Sequence, residues 1–251
     1  MSKIISVCNL KGGVGKSTTV LNLGAALANS GKKVLLIDLD AQGNLTESLG
    51  KEESAAEKDI YRVLRGEITL QPIEIYAGLS LVPATLDLAA ADNELSSEAG
   101  GDMVLREKLE GVKNNYDYIL IDCSPSIGKT VINALVASDS LLIPLQADFL
   151  ALRGLRKLTD VISVIQTRLN KNLRVSGILV TQYDSRKVLS RQVVEEIQEH
   201  FRAEVFTTKI RNNVSLAESP SRGLDIFRYE PKSNGAEDYA ALCKEVLARH
   251  E

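Results

Sequence analysis

Tryptophan is absent from this 251-residue chain, which holds only two histidines and three cysteines. The cysteines, Cys8, Cys123 and Cys243, are far apart and form no C-x-x-C pair. Neither a zinc site nor a disulfide framework is indicated, and a reducing cytoplasmic compartment is the expectation. His200 and His250 have no spaced ligands around them and are expected at the surface without a role. No apolar run is long enough to cross a bilayer, and the start of the chain carries no signal-peptide pattern. Nor does any Pro/Ser-rich linker or repeat divide the sequence, which predicts one domain over residues 1–251.

What is present is an ordinary globular composition, 44% hydrophobic and 25% charged, with a formal net charge of −3. That charge is uneven. Residues 151–228 hold 14 Lys and Arg against 8 Asp and Glu, a net of +6, and the remainder carries −9. An acidic protein can therefore present a basic face; scattered solvated arginines would have the same composition.

The densest chemistry lies near the start. Ile4-Ile5-Ser6-Val7-Cys8 reads as a buried strand, and Val20 to Ala28 reads as a helix. Between them runs Asn9-Leu10-Lys11-Gly12-Gly13-Val14-Gly15-Lys16-Ser17-Thr18-Thr19. Strand, glycine loop, lysine-hydroxyl and helix form the context of a phosphate-binding loop. Glycines allow backbone N–H groups to turn inward, and the helix aims its positive end at the same point. Lys11, Gly12, Gly13, Val14, Gly15, Lys16, Ser17 and Thr18 are the candidate nucleotide-binding residues. Lys16 supplies a charge for the β and γ phosphates, and Ser17 a hydroxyl for Mg²⁺. The usual first glycine is replaced by Leu10, and an additional lysine, Lys11, precedes Gly12. Lys11 is either a solvated residue at the loop edge or a cation aimed at a phosphate on another subunit.

Further apolar runs end in carboxylates. Ile119-Leu120-Ile121-Asp122 places a carboxylate at a strand's C-terminal end, where it can hold Mg²⁺ through water. Val34 to Ile37 leads into Asp38-Leu39-Asp40. Alternate residues of an extended segment face one side, so Asp38 and Asp40 are expected to converge on the site, where a carboxylate near the γ phosphate can orient the attacking water. Strands are also expected at Gly78–Pro83, Ser140–Pro144, Val175–Thr181 and Glu204–Phe206. Helices are expected at about Thr46–Arg65, Leu86–Leu95, Met103–Leu109, Thr130–Ala137, Leu150–Leu169, Val188–Phe201 and Gly235–His250. Buried strands alternating with helices predict an α/β fold, a doubly wound, mostly parallel sheet with helices on both faces.

The string K-G-G-V-G-K-S-T resembles the deviant Walker A loop of the ParA/MinD ATPases, and the resemblance runs nearly end to end, nearest to the ParA/Soj chromosome and plasmid partitioning type. Asp38-Leu39-Asp40-Ala41-Gln42-Gly43-Asn44 is similar to the family's switch I, with Ala41 where proline is common. Asp122-Cys123-Ser124-Pro125-Ser126 is similar to switch II, with Ser124 for a proline. Ile143-Pro144-Leu145-Gln146, Thr181-Gln182-Tyr183-Asp184-Ser185-Arg186, Asn213-Val214-Ser215 and Tyr229-Glu230-Pro231 continue it.

The resemblance implies an ATPase using ATP and Mg²⁺. Lys11, Lys16 and Asp40 would be its catalytic residues, and Ser17, Asp38 and Asp122 would be near the metal. Lys11 would reach across an ATP-sandwich homodimer. The dimer would hold nonspecific DNA, and a ParB-like centromere-binding partner would stimulate hydrolysis, which places the protein in the cytoplasm on the nucleoid. Arg186 falls on a family DNA position. A second such position is Ser215 here, with Arg191, Arg211 and Arg222 nearby as substitutes. A basic patch without aromatic stacking residues would bind phosphates and not read sequence.

Two rival classes share the loop. A MinD-like membrane-surface ATPase needs a basic amphipathic C-terminal helix, whereas Asp238 to Glu251 is mixed in charge and reads as a packed helix. Amide-forming synthetases and the nitrogenase iron protein need a substrate pocket or cluster-ligating cysteines, and no motif for either is apparent.

Overall fold

The structure is a computed structural model that describes residues 2–148, 151–200 and 205–250. The side chains of residues 151–153 and of Leu189, His200 and His250 lie outside the description. Leu150, Phe201 and Glu204, which the sequence reading places in elements, also lie outside it.

Eight strands form one sheet: β1 (Lys3–Val7), β2 (Val34–Leu39), β3 (Ile73–Tyr76), β4 (Leu79–Val82), β5 (Tyr118–Cys123), β6 (Ser140–Gln146), β7 (Arg174–Tyr183) and β8 (Val205–Arg211). Their order is β3-β4-β2-β5-β1-β6-β7-β8, and all neighbours are parallel except β3 with β4. The expected α/β, mostly parallel architecture is what the chain adopts. Helix α1 (Lys16–Asn29) follows the glycine loop, and three short helices, α2 (Asn44–Glu47), α3 (Glu52–Lys58) and α4 (Ile60–Leu64), replace the expected single helical stretch. Then come α5 (Ala91–Ser97), α6 (Val104–Glu110), α7 (Lys129–Ala137), α8 (Ala151–Arg168), α9 (Val188–His200), α10 (Val214–Glu218), α11 (Ile226–Tyr229) and α12 (Asn234–His250).

Strand alternation sorts the core into two layers. Ile4, Leu35, Ile37, Ile119 and Ile121 face one side, where α7 and α8 contribute Leu135 and Leu158. Ile5, Val34, Leu36 and Leu120 face the other, covered by Leu23 and Leu27 of α1 and Tyr239 and Leu242 of α12. The closing helix is thus packed, as its mixed charge suggested. Edge strand β3 was not legible in the sequence. Its residues are all partly or wholly exposed, so no buried run marks it.

Chain order reverses about β1. The chain reaches β2 beyond β5 on one side, and β6 follows on the other. At such a switch point the loops after the central strands splay apart and leave a crevice at the strands' C-terminal ends. The loops after β1, β2 and β5 all open there.

Close approach of α1 to the sheet sets the position of the glycine loop. It depends on Gly24, where an added Cβ would lie 2.5 Å from Leu36 Cδ2 and 3.5 Å from Leu79 Cδ1. Gly24→Val should therefore lower stability by about 1–3 kcal/mol through overpacking, read as a reduced urea midpoint with an unchanged m-value. An unshifted midpoint would mean that the helix–sheet gap is slack.

Candidate functional site

The glycine loop is shaped by backbone geometry that only glycine adopts at little cost. Gly13 and Gly15 have φ of 72° and 84°, and Gly15 immediately precedes α1. No side chain caps α1, so the amides of its first turn are left for a ligand, with the helix dipole behind them. In front of Gly12 and Gly13 a Cβ would meet nothing within 4 Å. Val14 is buried and pegs the loop to the core. The end of β7 holds the loop from the side: Thr181 Oγ1 donates to the Val14 carbonyl at 2.8 Å, and Gln182 Nε2 to the Gly13 carbonyl at 2.7 Å.

Both lysines rest on their own chain. Lys16 is nearly buried, and its Nζ donates to the Lys11 carbonyl at 3.3 Å. Lys11 folds back onto β6, where its Nζ pairs with the Asp148 carboxylate and donates to Gln146 Oε1 at 3.2 Å. Lys11 is thus seated on its own chain at the loop edge, with its side chain 42% exposed.

The carboxylates have different surroundings. Asp38 and Asp122 are in register on the adjacent parallel strands β2 and β5, and both are buried. Asp38 Oδ2 accepts from Thr46 N at 2.9 Å and Thr46 Oγ1 at 2.7 Å, and its Oδ1 from Asp40 N at 3.2 Å. Thr46 Oγ1 in turn accepts from Ala84 N at 3.0 Å. Asp38 therefore braces the loop into α2. Asp122 has no well-formed hydrogen bond to either oxygen. Burial, then the Asp38 charge, pushes its carboxyl well above the usual range, while the nearby Ser17 hydroxyl and Lys16 ammonium favour its ionised form. A buried carboxylate of this kind, beside a loop hydroxyl, fits a divalent cation. Among the described residues no cluster of three His, Cys, Asp or Glu side chains could hold a metal unaided. A cation here needs oxygens from water or from a ligand of its own, as Mg²⁺ on phosphates has.

Asp40 does reach the site. It lines a cavity of about 350 Å³ with Gly12, Gly13, Lys16 and Ser17, and its Oδ1 accepts from Gln42 N at 3.0 Å. Gln42, Asn44, Ser48 and Pro125 complete that cavity; the sequence reading gave them no role. A second cavity of about 310 Å³ continues from Gly15 and Thr18 between the ends of β7 and β8, lined by Thr181, Gln182, Asn212, Asn213 and Leu216. Thr181, Gln182 and Asn213 fall in the runs that carry the family resemblance; Asn212 and Leu216 were marked in the sequence only by following parallel strands, whose C-terminal ends bind ligands. Cys123 is buried beside Cys8, and their contact together with burial pushes its thiol up, consistent with a switch residue that is no nucleophile.

The four arginines are not brought together. Arg186 and Arg211 line one cleft of about 720 Å³, with Lys209 over the Tyr183 ring at 4.8 Å. Arg186 is 88% exposed and makes a bidentate pair with Asp184, whose carboxyl it lowers to about 2. Arg211 is different: Asp238 and Glu237 hold its guanidinium at 2.6–3.1 Å and tie β8 to α12. Arg191 donates to the Ser185 carbonyl at 3.0 Å. Arg222 lies elsewhere, ahead of Gly223, which packs near the Leu49–Gly50 turn that follows α2.

A parallel sheet with a glycine loop at its switch point, an uncapped helix and an orphaned carboxylate beside a loop hydroxyl define a P-loop nucleotide-binding protein of the deviant, two-lysine type. The AAA domain family matches residues 2–175. The chain is 47% identical to the sporulation initiation inhibitor protein Soj of Bacillus subtilis, over 99% of both chains. It is 43% identical to the chromosome partitioning protein ParA of Myxococcus xanthus, over 99% of this chain and 89% of that one. Among solved structures, cobyrinic acid a,c-diamide synthase from Mycobacterium smegmatis with bound ADP and magnesium superposes with a TM-score of 0.87 at 34% identity, covering 100% of this chain and 95% of that one. The chain belongs to the ParA/Soj family.

Burial pushes the Asp38 carboxyl up to about 6 from an ordinary 3.8. A group raised in the folded state stabilises the fold most below its unfolded value and loses that contribution as the pH rises through the folded one. Between pH 4 and 6.5 the nucleotide-free protein should thus lose a contribution on the order of 1–3 kcal/mol from this group. Asp38→Asn should flatten that segment of the stability curve, whatever its own baseline. Urea titrations at stepped pH would show it; parallel curves for the two proteins would rule the shift out.

Proposed function

We propose that this chain is a DNA-segregation ATPase that binds ATP with Mg²⁺, dimerises on it, holds nonspecific DNA as the dimer, and releases it after hydrolysis stimulated by a ParB-like partner in the cytoplasm. The observation that carries the reading is Lys11. Lys16 already serves the loop, and Lys11 stands on the rim, seated on residues that do not contact the phosphate cavity floor. A second cation at that rim has a use when another subunit's phosphates face it.

In the proposed mechanism the first-turn amides of α1 and Lys16 hold the phosphates, which draws Lys16 off the Lys11 carbonyl. Ser17 and, through water, Asp122 would hold Mg²⁺, which neutralises phosphate charge when bound. Asp40, at the edge of the same cavity, orients the attacking water. Asn212 and Asn213 face the base. The 1% exposure of Tyr239 and the burial of Leu242, Cys243 and Val246 support a packed closing helix in place of a membrane-lying one. Among the described residues no helix is long and apolar enough to cross a membrane.

The similarity to a diamide synthase supports one competing reading, an amide-forming synthetase. It would show ATP turnover dependent on a carboxylic acid acceptor and a nitrogen donor, and indifferent to DNA.

Lys16→Ala should abolish ATP binding by the isolated chain. Lys11→Ala should bind ATP with affinity within about threefold of the parent but remain monomeric and hydrolyse poorly. Sedimentation with ATP against ADP separates the two, and an ATP-dependent dimer of normal strength in Lys11→Ala would remove the cross-subunit role.

For DNA, Arg186 is the residue of consequence, because a solvent-exposed pair such as Arg186–Asp184 is weak and readily exchanged for a phosphate. Arg186→Ala should weaken ATP-dependent DNA binding evenly across sequences and lower the salt slope by about one for each DNA phosphate that the variant no longer neutralises. Arg211→Ala should instead lower stability, since it leaves Asp238 without its partner. Fluorescence anisotropy over a salt series on random duplexes is the measurement; sequence-selective, salt-insensitive or ADP-supported binding would overturn the DNA reading.

A further inference from the structure

The structure gives Gln182 an unusual backbone. Its φ is 50°, and among the described residues no other non-glycine residue has a positive φ. It lies where the pairing of β7 with β8 is irregular: Val180 pairs with Lys209 and Tyr183 with Arg211, so β7 runs three steps where β8 runs two. The Gln182 amide reaches the phosphate loop from there.

The amide joins a one-way chain of donors. Lys11 Nζ donates to Gln146 Oε1 at 3.2 Å, Gln146 Nε2 to Gln182 Oε1 at 3.0 Å, and Gln182 Nε2 to the Gly13 carbonyl at 2.7 Å. An ammonium can only donate and a carbonyl can only accept, so the two ends dictate the orientation of both amides. Lys11 and Gly13 are two residues apart on the same loop, so the chain closes into a ring. Asp148 closes on the Lys11 ammonium from beside Gln146.

We propose that Gln182 is a positioning residue for Lys11: through Gln146 it holds the Lys11 ammonium in its in-chain seat and ties that seat to the phosphate-loop carbonyl of Gly13. Whenever the loop turns the Gly13 carbonyl away, Gln182 loses its acceptor, Gln146 is no longer oriented, and Lys11 keeps only Asp148. A methionine at 182 has no donor for the Gly13 carbonyl and only a weak thioether acceptor, so it cannot make the link. The seat itself is independent of how the protein is used. Its consequence, a threshold that triphosphate must overcome before Lys11 serves a partner subunit, rests on the dimer reading above.

The test reads Lys11 directly. The full-length, nucleotide-free protein is treated with N-hydroxysuccinimidyl acetate, and the acetylation rate of Lys11 relative to exposed Lys33 is followed by peptide mass spectrometry. Asp148→Asn is the control that opens the seat. Gln182→Met should raise the relative rate about three- to tenfold, the worth of one or two solvent-exposed hydrogen bonds. Gln182→Glu is isosteric and still accepts from Gln146 but cannot donate to the Gly13 carbonyl, so it loses one of the two bonds and should raise the rate less than Gln182→Met does. A residue that merely keeps the loop folded would not rank the two variants in this order, and the ranking supports the proposal. A Lys11 rate unchanged in Gln182→Met while Asp148→Asn raises it overturns the proposal, as does a rise in Gln182→Glu equal to or above that in Gln182→Met. If Gln182→Met does not fold, Gln182→Ala takes its place in the comparison. In sedimentation with ATP, Gln182→Met should dimerise at a severalfold lower protein concentration. The same ranking in labelling with no ATP-dependent dimer in the parent protein would uphold the seat and remove the dimer reading.

Discussion

Two carboxylates buried side by side at the ends of neighbouring parallel strands are the constraint around which this site is arranged. Asp38 and Asp122 share a register between β2 and β5, at 0% and 1% exposure. Burying one carboxylate is costly, and burying two in contact raises the cost of the second. The protein meets the first cost internally, with two bonds from Thr46 and one from the Asp40 amide, and so makes Asp38 the brace of the loop that carries Asp40. It leaves the second unmet. A buried carboxylate in this position is relieved by a proton, as its raised carboxyl shows, or by a cation from outside that arrives with phosphates. Ligand binding is thereby coupled to the relief of a strain built into the sheet.

The same logic governs the cations. In this state Lys16 and Lys11 satisfy themselves on their own chain, on a loop carbonyl and on Asp148 with Gln146. Charges parked on internal partners keep the loop formed and leave both lysines available to stronger acceptors, since a phosphate offers more charge than a carbonyl or a single carboxylate. Arg186 and Arg211 show the contrast at the basic cleft. Arg186 is itself exposed and pairs with the single carboxylate of Asp184; Arg211 is fixed by buried Asp238, with exposed Glu237 beside it, which joins β8 to α12.

Much of this was legible from residue order. Runs such as Leu35 to Ile37 and Ile119 to Ile121 are continuous apolar stretches because parallel strands are buried on both faces, and Gly13 and Gly15 announced the loop because their left-handed conformations disfavour other residues. Short polar elements were less legible. Strand β3 has no buried face to produce a pattern, and the stretch after Asn44 broke into three helices where one was expected, because Gly50 and the capping Asp59 interrupt it. Asp38 looked like Asp122 in sequence, an acid closing an apolar strand. Only Thr46, eight residues on, shows that Asp38 also braces the loop.

The sequence by itself determined the elements whose cause is local: the glycine loop, the apolar strands, the carboxylates at their ends and the family they spell. Tertiary structure decided whatever depended on who stands opposite whom. It paired Asp38 with Asp122, seated Lys11 on residues more than 130 positions away, committed Arg211 to Asp238, and brought the Gln182 amide to Gly13. A hydrogen bond or a desolvation cost belongs to a pair of groups, and a linear order of residues names the groups without naming the pairs.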